Sequence, residues 1–326
     1  MAKLRIPQAV RRLLPVLRIV TPLALLVLTF SLIDGRAALS LLRRADILPI
    51  LGGLLVMQVQ IVLSAYRWRY TAQRLGQPLG FSHAVREYYL TTFVNQVVPG
   101  GMAGDAVRAA RNRTQDNSGR ARWGLAVRVI LLERMAGQVA FIAVTGAGLL
   151  AWPFLVGRAA PEASTDLLTG LLATIAGIVA VGAVIAIVGP RRLRNFTRSL
   201  GPDMRRAYFQ GSAWLVQGLV SVALVATYVG VFILSGIAIG APVPWYGWFT
   251  VIPLAILTML VPVSIGGWGL REAAAAALWP LVALPSSTGV ASAILYGLIS
   301  LAGSLPGLFF LRRHRTAGAV QASRRA

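Results

Sequence analysis

The sequence predicts an all-α polytopic membrane protein: six full spans plus two Pro/Gly-broken re-entrant hairpins, about eight hydrophobic segments in one domain over residues 1–326. Three observations carry that reading. Hydrophobic residues make up 56% of the chain and charged ones only 13%, against roughly 25% charged in soluble globular proteins, and the mean hydropathy is +0.70. The apolar residues gather into runs of about 20, the length a helix needs to cross a hydrocarbon core of about 30 Å. The 32 basic residues, set against 10 acidic ones, lie in blocks between those runs. Composition therefore excludes a soluble enzyme. The lack of cysteine excludes a disulfide-stapled fold, thiolate catalysis and cysteine-bound zinc. Basic blocks beside apolar runs are membrane flanks rather than a nucleic-acid surface.

The six spans fall at about 16–33, 47–66, 123–152, 166–188, 209–238 and 288–311. Two further apolar stretches, 81–99 and 246–283, are interrupted by Pro and Gly at VVPGGMAGD (Val97–Asp105) and VPVSIGGWG (Val261–Gly269). Arginine sets the direction. Lys3, Arg5, Arg11, Arg12 and Arg18 precede or open the first span, and Arg67, Arg69 and Arg74 follow the second. Further blocks lie at 108–122, 191–206 and 312–325. The positive-inside rule puts all of these on the cytoplasmic side, with both termini inside. The other side keeps Arg36, Arg43, Arg44 and Arg158, diluted by Asp34, Asp46, Glu162 and Asp166. The run from Arg11 to residue 33 has the form of a signal peptide, but Arg36-Ala37-Ala38 is a poor cleavage site, so retention is expected. Residues 312–326 form a basic cytoplasmic tail.

With that orientation both ends of 81–122 lie inside and both ends of 246–283 lie outside. Each broken stretch must turn back, the first at Pro99–Gly101 and the second near Ser264–Gly267. Irregular backbone at that depth has to be surrounded by protein or a water-filled cavity. The order span, span, hairpin, span then occurs twice in opposite orientation, over about 16–152 and 166–311. Such an inverted-topology repeat, with broken segments at corresponding positions, points to a transporter-type site near the midplane.

Charges within the spans and hairpins mark candidate functional groups, since ionisable side chains are costly in a bilayer. They are Arg86–Glu87, Asp105 with Arg108, Arg128, Glu133–Arg134 and Arg271–Glu272. Most have an opposite charge adjacent or one turn away, as Asp105 and Arg108 do at i,i+3, so mutual neutralisation is the simplest account. Glu133 and Arg134 point about 100° apart on a helix and cannot pair well with each other. Glu133 is expected to meet Arg108 or Arg271 from a hairpin. Gly100, Gly101 and Gly104 precede one helix, and Gly266, Gly267 and Gly269 another. The exposed amides at those helix starts suit a phosphate, with Arg108 or Arg271 as donors; alternatively the glycines only let helices approach closely. His83 and His314 stand alone, so no metal is expected, and no nucleotide or hydrolase motif appears, so no cofactor is expected. Trp245, Tyr246 and Trp248 form an expected aromatic belt outside, mirrored inside by Tyr66, Trp68 and Tyr70.

Asn95-x-x-x-Pro99-Gly100, Gly104-Asp105-x-x-Arg108, Glu133-Arg134 and Gly266-Gly267-x-Gly269-x-Arg271-Glu272 together resemble the signature of the lysylphosphatidylglycerol synthase transmembrane region family. These flippase-like proteins also form the N-terminal part of bacterial multiple peptide resistance factors. The resemblance runs over essentially the whole chain. One departure is Asp105, where Glu is the more frequent residue. The resemblance implies a multi-pass protein of the bacterial inner membrane that handles lipids. Bifunctional members carry a soluble aminoacyl transferase. The stretches outside the spans here are a few tens of residues at most, so aminoacyl transfer is not expected of this chain.

The reading that follows is a flippase moving a phospho- or polyprenyl-linked lipid. Asn95, Gly100, Gly101, Gly104, Asp105, Arg108, Arg128, Glu133, Arg134, Gly266, Gly267, Gly269, Arg271 and Glu272 would form the headgroup site. Arg108 and Arg271 would hold phosphate, and Glu133 would be the natural proton carrier if transport is ion-coupled. Its rivals are an integral-membrane enzyme with Asp105 or Glu133 as general base, or an accessory scaffold. Expected partners are the membrane lipid substrate, anionic headgroups near the basic blocks and a lipid-modifying enzyme, with no nucleic acid. Ala173 and Gly177 offer a small-xxx-small face for a homo-oligomer.

Overall fold

The computed structural model describes residues 35–98, 102–112, 123–156, 191–260 and 266–311, with a few positions between 165 and 177. The regular structure of these residues is all helical, without a strand. Four helices are long and apolar enough to cross a membrane: α2 (Ile47–Arg74), α5 (Trp123–Val156), α7 (Ala213–Ala238) and α10 (Ser286–Ser304). They coincide with four of the six expected spans. The span at 16–33 and most of 166–188 lie outside the described residues, as do the tail 312–326, the turn at Pro99–Gly101 and Ser264.

α1 (Gly35–Arg43) leads into α2, whose start is set by Asp46. Its carboxylate accepts from the Leu48 N–H at 3.0 Å, and its own N–H donates to the Ala238 carbonyl at 2.8 Å. The start of α2 is thereby tied to the end of α7. At 28 residues α2 is about 42 Å long, so it outruns the hydrocarbon core. It stops at Leu75, where Gly76 takes a positive φ of 76°.

Two apolar clusters mark opposite ends of the bundle. Trp68, Leu75, Leu79, Ala84, Val129, Leu132 and Ala207 form one. Ala38, Leu149, Trp152, Ala238, Val243, Val251, Trp279 and Val282 belong to the other. α2 runs from the second cluster to the first, and α5 runs back.

Each broken stretch is two helices. The first is α3 (Phe81–Val97) and α4 (Ala103–Arg111). The far end of α4 returns to the start of α3. Arg111 pairs with Glu87 at 2.7 Å, and the Asn112 side-chain oxygen lies 2.7 Å from His83 Nε2. Glu87 thus takes its partner from the returning helix and not from its neighbour Arg86. The second stretch is α8 (Val251–Leu257) and α9 (Leu270–Leu278), and a Cβ on Gly247 at its start would touch Val282 at its end. Gly266, Gly267 and Gly269 hold φ of 55°, 85° and 86° ahead of α9, a left-handed run open to glycine at little cost. Beside the interruptions the two stretches touch, since a Cβ on Gly266 would stand 3.1 Å from Gln96 Cα.

Between α5 and the segment that follows the 3-10 turn Trp245–Trp248 and leads to α8, the backbones approach closely. A Cβ on Gly148 would overlap the Phe249 carbonyl. α10 is the most enclosed span and is built of small residues, with Gly289, Ala291, Ser292, Ala293, Gly297 and Ser300 all buried. Gly148→Ala is expected to destabilise the protein by about 1–3 kcal/mol through overpacking, read as a lowered unfolding temperature in detergent. An unchanged transition would mean that the α5 contact yields freely.

Candidate functional site

Along α2, Gln60, Ser64, Arg67 and Thr71 are buried and recur three or four residues apart, so one stripe of an apolar span is polar. The stripe faces α7. Gln217 Nε2 donates to Thr71 Oγ1 at 2.9 Å, and Arg67 Nη1 donates to Ser221 Oγ at 3.3 Å. Arg67 also donates through Nε and Nη2 to Glu133 Oε1 on α5, at 3.2 and 2.7 Å. One turn beyond Glu133, Gly137 leaves the surface of α5 bare for that guanidinium, since a Cβ there would stand 3.0 Å from Arg67 Nη2.

The other Glu133 oxygen accepts from Arg108 Nη2 at 3.2 Å, and the Tyr88 hydroxyl donates to Oε1 at 3.2 Å. Arg108 reaches Asp105 Oδ1 at 2.7 Å, and Arg134 pairs with Asp105 Oδ2, which also accepts from Asn95 Nδ2 at 3.3 Å. Arg67, Glu133, Arg108, Asp105 and Arg134 thus alternate in sign along one continuous chain. It joins α2, α4 and α5, with α3 contributing Tyr88 and Asn95. The expected meeting of Glu133 with Arg108 is present, and Arg67, which follows the second apolar run as a cytoplasmic flanking charge does, is a second partner.

Arg108 is buried between two rings. Its guanidinium carbon lies 4.7 Å from the centroids of both Trp68 and Tyr88. Trp68 is therefore an interior residue and not part of an interfacial belt. Tyr66, by contrast, is partly exposed and Trp245 is about half exposed.

Arg271 repeats the arrangement in the second hairpin. It donates to Glu272 Oε1 at 2.5 Å and lies 5.1 Å from the Trp268 ring and 5.0 Å from Tyr296. Gly297 makes room for it, as a Cβ there would overlap its guanidinium.

At each of these helix starts one backbone amide is engaged by the protein's own side chain. Gly104 N–H donates to Asn95 Oδ1 at 2.7 Å, and Gly269 N–H donates to Glu272 Oε2 at 2.6 Å. Gly104 also allows α4 to cross α3 closely, its Cβ position falling on the Thr91 carbonyl. Gly100 and Gly101 lie outside the described residues. Arg128 is drawn away from this centre by Asp203, 2.5 Å distant on α6 (Arg191–Met204).

A cavity of about 210 Å³ opens beside the network. Arg67, Asp105, Glu133, Arg134, Asn95, Gly266 and Gly267 line it, and Gln60, Gln96, Tyr228 and Tyr296 complete its polar wall. Arg108 and Arg271 stand behind the wall. The cation with most freedom is Arg134, whose side chain is 29% exposed. No group of three or more potential metal ligands occurs among the described residues.

Fold and site together define an integral membrane protein of transmembrane helices whose interior holds a charged cavity. Residues 15–307 match the family described as Lysylphosphatidylglycerol synthase TM region, and the chain belongs to that family. Membership points to a membrane protein acting on lipids. A comparison with curated proteins returns no match.

Glu133→Gln would leave Arg67 and Arg108 buried without their shared counter-ion, at an expected cost of about 3–5 kcal/mol. Arg134→Gln, at the cavity edge, is expected to cost about 1 kcal/mol or less. Thermal unfolding of the two variants in the same detergent separates them; equal, small shifts would show that Glu133 does not hold the helices together.

Proposed function

We propose that this protein moves a phosphate-bearing lipid across the bacterial inner membrane, the headgroup passing through the cavity while the acyl chains stay in lipid. The observation that carries this reading is the guanidinium-rich network beside a cavity, at the place where two broken helical segments touch. In a bilayer such groups are retained where they face a cavity and serve a ligand. Family membership adds the lipid.

The same reading takes both hairpins as re-entrant, entering from opposite faces, so that two halves of opposed orientation enclose the site. Return of α4 to α3 through Glu87–Arg111, and of α9 toward Gly247, supports that arrangement. Within the site, Arg134 and Arg67 are the cations that a phosphate meets. Arg108, held between Trp68 and Tyr88, fixes the two carboxylates instead of touching substrate. Arg271 and Glu272 set the second hairpin tip. The chain acts as a transporter and not as an enzyme, which requires that it alter the sidedness of lipids and not their structure.

Because the sequence lacks cysteine, single cysteines report topology directly. Cysteine at Gly119 or Ala317 is expected to react with an impermeant maleimide only from the cytoplasmic side, and at Ala159 only from outside. Reversal of either would remove the inverted arrangement. For transport, the protein is reconstituted in liposomes with fluorescent phosphatidylglycerol and the outer leaflet is quenched with dithionite. The expected result is rapid loss of the protected inner pool, slowed about tenfold in Arg134→Gln, as for loss of one charge-assisted contact. A rate equal to that of empty liposomes overturns the proposal, and so would new lipid species in extracts, which mark an enzyme.

A further inference from the structure

A transporter that works against a gradient needs a group that takes up a proton or a cation on one side and releases it on the other. The chain holds ten acidic residues, and four of them, Glu87, Asp105, Glu133 and Glu272, lie within the spans and hairpins. Each is matched by arginine. Glu87 accepts from Arg111 through both oxygens, at 2.7 and 2.9 Å. Asp105 is held by Arg108 and Arg134, Glu133 by Arg67 and Arg108, and Glu272 by Arg271 and the Gly269 amide. Of the other six, Asp203 pairs with Arg128, and Asp46 and Asp166 are exposed. Asp34, Asp116 and Glu162 fall between the apolar runs of the sequence.

The cations are as fixed as the acids. Lys3 is the single lysine of the chain, so every basic group in the network is a guanidinium, which keeps its proton at any physiological pH. His83 is exposed at the start of α3, and His314 follows the last span in the sequence. Glu133 is the acid that the sequence nominates as proton carrier. Around it stand Arg67 from α2, Tyr88 from α3, Asp105 and Arg108 from α4, and Arg134 from its own helix. Tyr228 from α7 lines the same cavity. Phenols hold their protons to about pH 10. A proton placed on Glu133 would strand Arg67 and Arg108 in the interior without their counter-ion, and the same guanidiniums repel a metal cation.

We propose that this protein is an electrogenic uniporter: the anionic lipid crosses with no proton or metal ion in exchange, and the membrane potential drives it outward. This rests on the transport reading above and adds its energetics. A phosphodiester that crosses alone moves one negative charge per cycle between the leaflets. A potential negative inside favours the outer leaflet by about 50-fold per 100 mV at equilibrium. The reaction that supplies such a lipid then stands on the cytoplasmic face, and the reaction that consumes it stands outside.

The test uses the full chain reconstituted at low density in phosphatidylcholine liposomes with a trace of fluorescent phosphatidylglycerol, whose phosphodiester stays ionised throughout. Potassium gradients with valinomycin set the potential, and the fast phase of dithionite quenching reads the outer-leaflet share. At about 100 mV negative inside, the outer-to-inner ratio is expected to rise about 50-fold, and to fall by the same factor when the potential is reversed. With potassium equal on both sides, a pH difference of about one unit or a sodium gradient is expected to leave the ratio unchanged.

A shift of about tenfold with pH at zero potential would show one proton moving with each lipid and would overturn the proposal. So would a shift with sodium, or a ratio indifferent to potential, which marks electroneutral exchange. Those three results keep transport and reject uniport alone. Movement no faster than in empty liposomes rejects transport itself, and this proposal with it.

Discussion

The Glu133 carboxylate is the point on which the interior is assembled. It accepts from Arg67 on the second described helix and from Arg108 on the short returning helix of the first hairpin, and it is itself buried in a third helix. A carboxylate in hydrocarbon is tolerable only with its charge balanced and its lone pairs used. Burying Glu133 therefore obliges two arginines from two other elements to converge on it. The convergence places the first hairpin against the spans, and it brings Asp105 and Arg134 to the cavity edge. Apolar packing alone would not select this register, because lipid is as apolar as the side chains and gives helices little reason to choose one face over another.

The two hairpins solve one physical problem in two ways. Each buries an arginine against a pair of aromatic rings and supplies an acid close by in sequence. Rings satisfy the flat faces of a guanidinium while its edges remain free to donate. In the second hairpin Glu272 is adjacent to Arg271, pairs with it, and also takes the Gly269 amide, while Arg271 Nη1 stays buried without a partner among the described residues. In the first, Asp105 and Arg108 open outward to Glu133 and Arg134. The first hairpin accordingly joins the network that lines the cavity, and in the second Gly266 lies against Gln96.

Residue type and position in the sequence mislead at several charges. Arg67 follows a long apolar run beside Arg69 and Arg74, and in one dimension it looks like a flanking charge. A helix of 28 residues continues past that point, however, and the steps of three and four residues from Gln60 to Thr71 turn Arg67 inward. That polar stripe was the available signal. Trp68 likewise sits between two tyrosines as an interfacial tryptophan would, yet it covers Arg108. Arg128, five residues before Glu133, is a little more than one turn away on the same helix and pairs instead with Asp203, an acid 75 positions later. Glu87 finds Arg111 across the hairpin and not its neighbour Arg86.

Composition and the blocks of arginine determine by themselves that this chain resides in a membrane, where its long helices lie and which charges are too costly to be incidental. Those properties follow from hydration and from the length of an apolar run, both of which are local. The spacing of Pro and Gly likewise marks both interruptions, because backbone freedom is local too. Which arginine meets which acid is decided only in three dimensions. A guanidinium several bonds from its backbone can serve any carboxylate within reach, and reach depends on helix rotation and crossing. Tertiary structure thus moved the cations that line the cavity from Arg108 and Arg271 to Arg134 and Arg67.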